Sequence, residues 1–124
     1  MADFLHDDVF DSGLSVLDTL VENLYICSSL PTTFTEASST YKLGTKASPT
    51  VSAPADRTGG GRKVTVSAIT DGTVSASGTA GYYALTDDSV SKLLAQGDLN
   101  ATQVVTSGNT FTLTAFDIGI PDPA

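Results

Sequence analysis

The chain has 124 residues, of which 40% are hydrophobic and 16% charged, a length and balance that describe one folded domain and exclude a disordered segment. Fourteen Asp and Glu stand against six Lys and Arg, for a formal net charge of −8 at pH 7. That sign repels phosphate backbones and anionic membrane surfaces, so no direct nucleic-acid binding and no membrane association are expected. The single cysteine, Cys27, excludes an internal disulfide. The start, Met1-Ala2-Asp3-Phe4, carries neither the basic region nor the apolar stretch of a signal peptide, and synthesis in the cytoplasm is the expectation.

An acidic head comes first. Asp3, Asp7, Asp8, Asp11, Asp18 and Glu22 all precede Tyr25, with no Lys or Arg among them. Residues 8–23 read as an amphipathic helix, because Phe10, Leu14, Leu17, Val21 and Leu24 recur at spacings of three and four. Asp7, Asp8 or Asp11 suits its N-terminus as a cap and as a partner for the helix dipole, while Gly13 weakens it by up to about 1 kcal/mol. Its apolar stripe has to pack on the β core or on another subunit. Leu24-Tyr25-Ile26-Cys27 then reads as a short strand, ended by Ser28-Ser29 and Pro31. Thr33-Phe34-Thr35-Glu36 fits a capping box and predicts a short helical turn through Ala37. Residues 41–43 read as a strand closed by Gly44. Residues 45–61, with Pro49, Pro54 and Gly59-Gly60-Gly61, read as a long loop with at most one strand near Val51.

From residue 63 to 120 the pattern is β. Val64, Val66 and Ala68 alternate with Lys63, Thr65 and Ser67. Asp71-Gly72 predicts a tight hairpin turn into a strand over 73–77, because both central residues of such a turn need positive φ. Further strands are predicted over 82–86 and 103–106, and 91–94 reads as a strand or a helical turn, the strand being preferred, with turns at Gly97-Asp98 and at Ser107-Gly108-Asn109. In the last run, Phe111 and Leu113 occupy odd positions but Phe116, Ile118 and Ile120 even ones. The apolar phase slips near Ala115, which predicts a bulge or a bend from one sheet into another. The predicted fold is mainly β, a compact antiparallel β-sandwich or barrel with an N-terminal amphipathic helix. It forms a single domain: 1–23 as acidic arm and helix, 45–61 as loop, 63–120 as β core.

Reactive groups are sparse. His6 is the only histidine and has no second one to share a metal with. Cys27 follows two apolar residues in a strand, the setting of a packing cysteine. Gly59-Gly60-Gly61-Arg62-Lys63 lacks the spacing of a phosphate loop. Asp87, Asp88 and Asp98 lack that of a calcium-binding loop, and would coordinate an ion only if loops gathered them. The expectation is therefore a non-enzyme with no catalytic residue, metal or cofactor. Tyr82-Tyr83 is the one adjacent aromatic pair, and neighbours on a strand face opposite ways, so one ring belongs to the core and the other to the surface. Candidate partner contacts are Phe4, Phe10, Leu14, Leu17, Tyr82 and Tyr83.

Several stretches carry a family resemblance. They are Gly78-Thr79-Ala80 with Tyr83-Ala84-Leu85-Thr86-Asp87, then Leu93-Leu94-Ala95, Val105-Thr106-Ser107-Gly108-Asn109-Thr110-Phe111-Thr112 and Ile118-Gly119-Ile120-Pro121-Asp122-Pro123. Together with Ile26-Cys27-Ser28, Pro31-Thr32-Thr33 and Glu36-Ala37, they resemble small structural proteins of tailed bacteriophages and prophages. The similarity covers most of the chain outside 45–61. The resemblance implies a multi-copy virion component, of the capsid decoration, cement or accessory head, neck or tail type. Its partners would be the major capsid protein or other head or tail subunits, with further copies of itself in a homo-oligomer. It implies no catalytic residue. A second class fits the same β pattern: a tail-associated module that binds carbohydrate or a receptor through the exposed tyrosine.

Overall fold

The structure, a computed structural model, describes residues 4–5, 14–58 and 62–120, the first pair by backbone alone. Its strands are β1 (Phe4–Leu5), β2 (Asn23–Cys27), β3 (Lys42–Ala47), β4 (Ala55–Asp56), β5 (Arg62–Val66) and β6 (Ile69–Val74). They continue with β7 (Gly78–Asp87), β8 (Lys92–Val105), β9 (Thr110–Leu113) and β10 (Phe116–Ile120). Among the described residues an α-helix, α1, spans Ser15–Leu20. The fold is mainly β and every strand pair is antiparallel. Seven strands in the order β1-β8-β7-β2-β3-β6-β9 curl into a half-barrel, and β10-β5-β4 form a smaller sheet.

The centre of the large sheet is buried on both faces. Leu24 and Ile26 of β2 join Leu17, Val64, Val66, Leu85, Leu94 and Phe111 in the main core. Tyr25 and Cys27, on the opposite face, pack with Ala37, Ala84 and Leu93. Burying each large apolar side chain contributes about 1.5–3 kcal/mol relative to exposure. The second cluster is covered by the helical turn Glu36–Thr40, which forms one half of the predicted capping box, turns its Glu36 carboxylate to Thr32 in place of Thr33, and runs past Ala37. The Thr33 hydroxyl accepts the Glu36 N–H at 3.1 Å, and the Glu36 carboxylate accepts the N–H and hydroxyl of Thr32 at 2.9 and 2.8 Å.

The helix is shorter than the apolar spacing predicts. Val21 already has extended backbone, with ψ 124°, and Leu24 lies in β2 opposite Leu85 and Lys46. Pairing in the middle of a sheet satisfies the backbone of residues 23–27 and overrides a weak helical preference. Leu14 and Leu17 pack into the chain's own core, so the stripe of α1 faces the sheet and not another subunit. Phe10, Gly13 and the capping Asp7, Asp8 and Asp11 lie outside the described residues.

Three glycines read as stops are instead crossed by strands. Residues 69–74 run through Asp71-Gly72 as β6, paired on both sides, so no hairpin forms there. A Cβ on Gly72 would sit 2.2 Å from the Phe111 ring, and one on Gly44 would sit 3.1 Å from the same ring and 2.7 Å from the Thr73 carbonyl. Gly97-Asp98 is likewise crossed by β8, and the irregularity comes just after it: residues 99–102 together oppose Gly81 alone. The turn at Ser107-Gly108-Asn109 does form, with Gly108 at φ 91°. The loop predicted over 45–61 is shortened, since β3 reaches Ala47, Val51 bridges Val66, and Ala55–Asp56 pairs with β5. Ala68 is exposed beyond the end of β5, and Gly59-Gly60-Gly61 lie outside the described residues.

The phase slip at Ala115 is the passage between sheets. β9 pairs with β6 in the large sheet, and β10 pairs with β5 in the small one, from Phe116↔Val66 to Ile120↔Arg62. Ile118 and Val64 thereby close over the main core. The contact of Phe111 with Gly72 is open to test. Gly72→Ala is expected to lower stability by about 1–3 kcal/mol through overpacking. Adding Phe111→Leu should make the pair distinctly non-additive, as urea unfolding of the four proteins of the double-mutant cycle would report.

Candidate functional site

The curl of the large sheet brings its two ends towards each other without joining them. β9 ends the sheet on one side, and β8, capped by β1 at Ala95 and Gln96, ends it on the other. Two side chains of β8 span the gap: the Gln103 amide donates to the Thr112 carbonyl at 2.7 Å, and the Asn100 amide to the Thr114 hydroxyl at 3.4 Å. The strands meet across a seam held by side chains and not by a backbone ladder.

A cleft of about 440 Å³ lies along this seam. Its floor is apolar, from Leu99, Leu113, Phe116 and Tyr83, and its rim carries Asn100, Thr102, Gln103, Thr112 and Thr114. The Tyr83 and Phe116 rings stack at a tilt of 43° with centroids 4.5 Å apart. The bulge at 99–102 builds the site, because extra residues on one strand re-aim side chains that a regular ladder would send elsewhere. Among the described residues of the lining, Asp98 is the only carboxylate and there is no His, Lys or Arg. Such a surface can recognise a ligand by shape and hydrogen bonds, but it does not pair an acid with a base.

On the other face of β7 and β8, Tyr82 sits half-buried in a shallow depression with Ser28, Thr79, Asp98 and Thr102. Tyr83 is the core member of the aromatic pair and Tyr82 the one with ring surface to offer. β1 places Phe4 opposite Gln96 on the β8 edge, whereas Phe10 and His6 lie outside the described residues.

The ionisable groups gather elsewhere, at the far end of β7. Burial pushes the Asp88 carboxyl up, but hydrogen bonds from Thr86, Tyr25 and Asn23 outweigh it and hold the group below its ordinary value. The Tyr25 hydroxyl donates at 2.6 Å, and burial together with that carboxylate drives the phenol pKa well up. The Ser89 N–H and hydroxyl donate to Glu22 at 2.6 and 3.0 Å and keep its carboxyl low. Burial and the neighbouring Glu22 raise Asp87. These bonds tie the turn Asp88–Val90 to the junction of α1 and β2. Asp98 pairs with Tyr82, five residues or roughly 17 Å along β7 from Asp87, so the three aspartates are not gathered for calcium. Among the described residues no three His, Cys, Asp or Glu form a metal-binding group. Cys27 is fully buried against the Ala37 carbonyl, and burial pushes its thiol up to about 12, so it stays protonated and inert.

No known protein family, curated protein or solved structure matches this chain. The seam itself was missed in the sequence. Its one signal was Gly97-Asp98, a break in the β pattern two residues before the bulge.

Two outcomes follow from this geometry. Gln103→Ala is expected to cost about 0.5–1.5 kcal/mol and to speed amide exchange in β9 while leaving β2 unchanged. Tyr25→Phe removes a bond to a carboxylate and should cost about 1.5–3 kcal/mol near neutral pH. Because the folded pKa of Asp88 is depressed, its stabilisation is present above the unfolded value and lost as pH falls through the folded one. The difference between Tyr25→Phe and wild type should therefore narrow on acidification through the carboxylate range, in urea unfolding followed across pH.

Proposed function

We propose that this chain is a non-enzymatic structural component of a bacteriophage virion, a multi-copy capsid decoration, cement or accessory head protein that binds neighbouring virion subunits. The observation that carries the reading is the open seam. A sheet that stops short of closing presents strand edges and a cleft with a single carboxylate, Asp98, among its described lining to a neighbour, and strand edges are ready templates for a further chain. The phage-like stretches of the sequence point the same way. In a repetitive shell each contact is weak and avidity multiplies it, so a small subunit with a shallow site suffices. The net charge of −8 suits protein neighbours better than packaged nucleic acid.

A second reading, a tail-associated module for carbohydrate or a receptor, is favoured by one observation: the accessible ring of Tyr82 beside Ser28, Thr79 and Asp98. One experiment addresses both. Purified chain added to particles of its phage assembled without it is expected to co-sediment with them, and Asn100→Ala with Gln103→Ala to weaken that binding. Absence of binding to particles, together with a glycan-array signal that Tyr82→Ala abolishes, would replace the first reading by the second.

A further inference from the structure

β8 is 14 residues long, and among the described residues β1 pairs with two of them on its outer side, with Phe4 opposite Gln96 and Leu5 opposite Ala95. Natural proteins guard such edges with Lys, Pro or a bulge. Between 93 and 105 β8 contains no Lys, Arg or Pro, and its single charge is Asp98. Its bulge at 99–102 and the further irregularity at Leu94 leave 95–98 as the regular stretch that a strand can join. Gln96, within that stretch, is 3% exposed, and its side-chain oxygen has no hydrogen-bond partner among the described residues. Among the described residues, the edge is thus covered only in part.

The segment that covers it is the chain's own residues 4–5. Eight residues separate Leu5 from Leu14, and a fully extended linker of that length reaches roughly 30 Å. That reach lets the same two residues pair with the edge of an adjoining copy. A two-residue strand is held weakly, and exchanging an identical element between copies keeps every contact while linking the chains. We propose that β1 is exchanged between subunits, with Phe4 and Leu5 of one copy pairing with Gln96 and Ala95 of a second. The proposal rests on the assembly reading and supplies it with a named contact.

Cysteine pairs across the ladder test it. Facing residues of an antiparallel pair lie within disulfide range, and the native Cys27 is buried and protonated, so it does not compete. Leu5→Cys and Ala95→Cys are placed on separately tagged chains, co-expressed and oxidised. The expected product is a disulfide-linked dimer carrying both tags. The chain bearing both substitutions should then form interchain species in place of a closed monomer. An intrachain bridge alone in that chain, or no bridge in any sample, overturns the exchange. Phe4→Cys with Gln96→Cys repeats the test if Ala95→Cys fails to fold. In light scattering, deletion of residues 1–5 is expected to reduce the wild-type oligomer to single chains, and an unchanged mass counts against the exchange. Particle binding is scored separately. Cross-links without particle binding would sink the virion reading alone, and particle binding without interchain cross-links would sink the exchange alone.

Discussion

The ring of Phe111 lies flat against backbone at two places where the sequence supplies no side chain. Gly72 faces it directly in β6, and Gly44 lies beyond in β3. Any Cβ at Gly72 would stand at 2.2 Å from the ring, so the close approach exists only because both residues are glycine. The ring is 1% exposed and fills the space where three strands converge. That contact packs β9 closely onto β6 and β3 at this end of the curled sheet. A sheet curled this far carries its last strand round to face its first long one, which is how Thr112 and Thr114 come within reach of Gln103 and Asn100. The chain leaving β9 is also delivered to the place where β10 can pair with β5 and cover the core. Seam and cover thus both follow from the curl.

The second constraint is β2, which has no solvent face. Four successive residues, Leu24, Tyr25, Ile26 and Cys27, are buried. Alternation along a strand sends two to each side, so a chain buried this way needs material on both faces. On one side this is the main core, closed by α1 and the small sheet. On the other it is the turn Glu36–Thr40 with Tyr41 and Tyr82. Cys27 lies under that cover, which makes it a core residue and removes the one thiol from any chemistry. Tyr25 sits partly at the edge of the same cover, and its hydroxyl finds Asp88. The middle of the sheet is therefore fully occupied by packing, and recognition is left to its rims.

The mainly β class was legible in the alternation of 63–69 and 110–120, and the slip at Ala115 located the passage between sheets. Those signals are local: side-chain period and phase are properties of the strand itself. The core role of one member of the Tyr82-Tyr83 pair follows from the same geometry. The glycines were misleading for a different reason. Gly44, Gly72 and Gly97 looked like stops because glycine is common at turns, but the role of Gly44 and Gly72 is set by the Phe111 ring tens of residues away, and Gly97 is held in β8 by pairing with Tyr83. Only Gly108, at φ 91°, does what a turn glycine does by itself. The helix was over-extended because Leu24 satisfies the helical spacing and the strand equally, and only pairing with Leu85 decides between them. The seam was invisible for the most basic reason: it lies between β8 and β9, the two long-range ends of a sheet whose strand order no local pattern contains.

The distribution of charge agrees with a division of labour between rims and surface. The basic residues of the middle are largely engaged inside the chain: Lys46 with Asp71, Arg62 with Asp56 and Lys63 with Asp117, at 2.6–3.0 Å. Exposed pairs of this kind contribute little to stability, but they neutralise the positive charge locally. The acids of the head have no such neighbours in sequence. The seam, by contrast, is almost neutral, built from Asn, Gln and Thr over an apolar floor. Charge spread over a surface acts at long range and is screened by salt within about 8–10 Å, whereas backbone edges and amide side chains act only in contact and in register. On the virion reading, the first would keep free subunits apart and soluble, and the second would fix how a docked subunit sits. A site that depended on charge would attract many partners, and a strand edge accepts only a chain that can match its spacing.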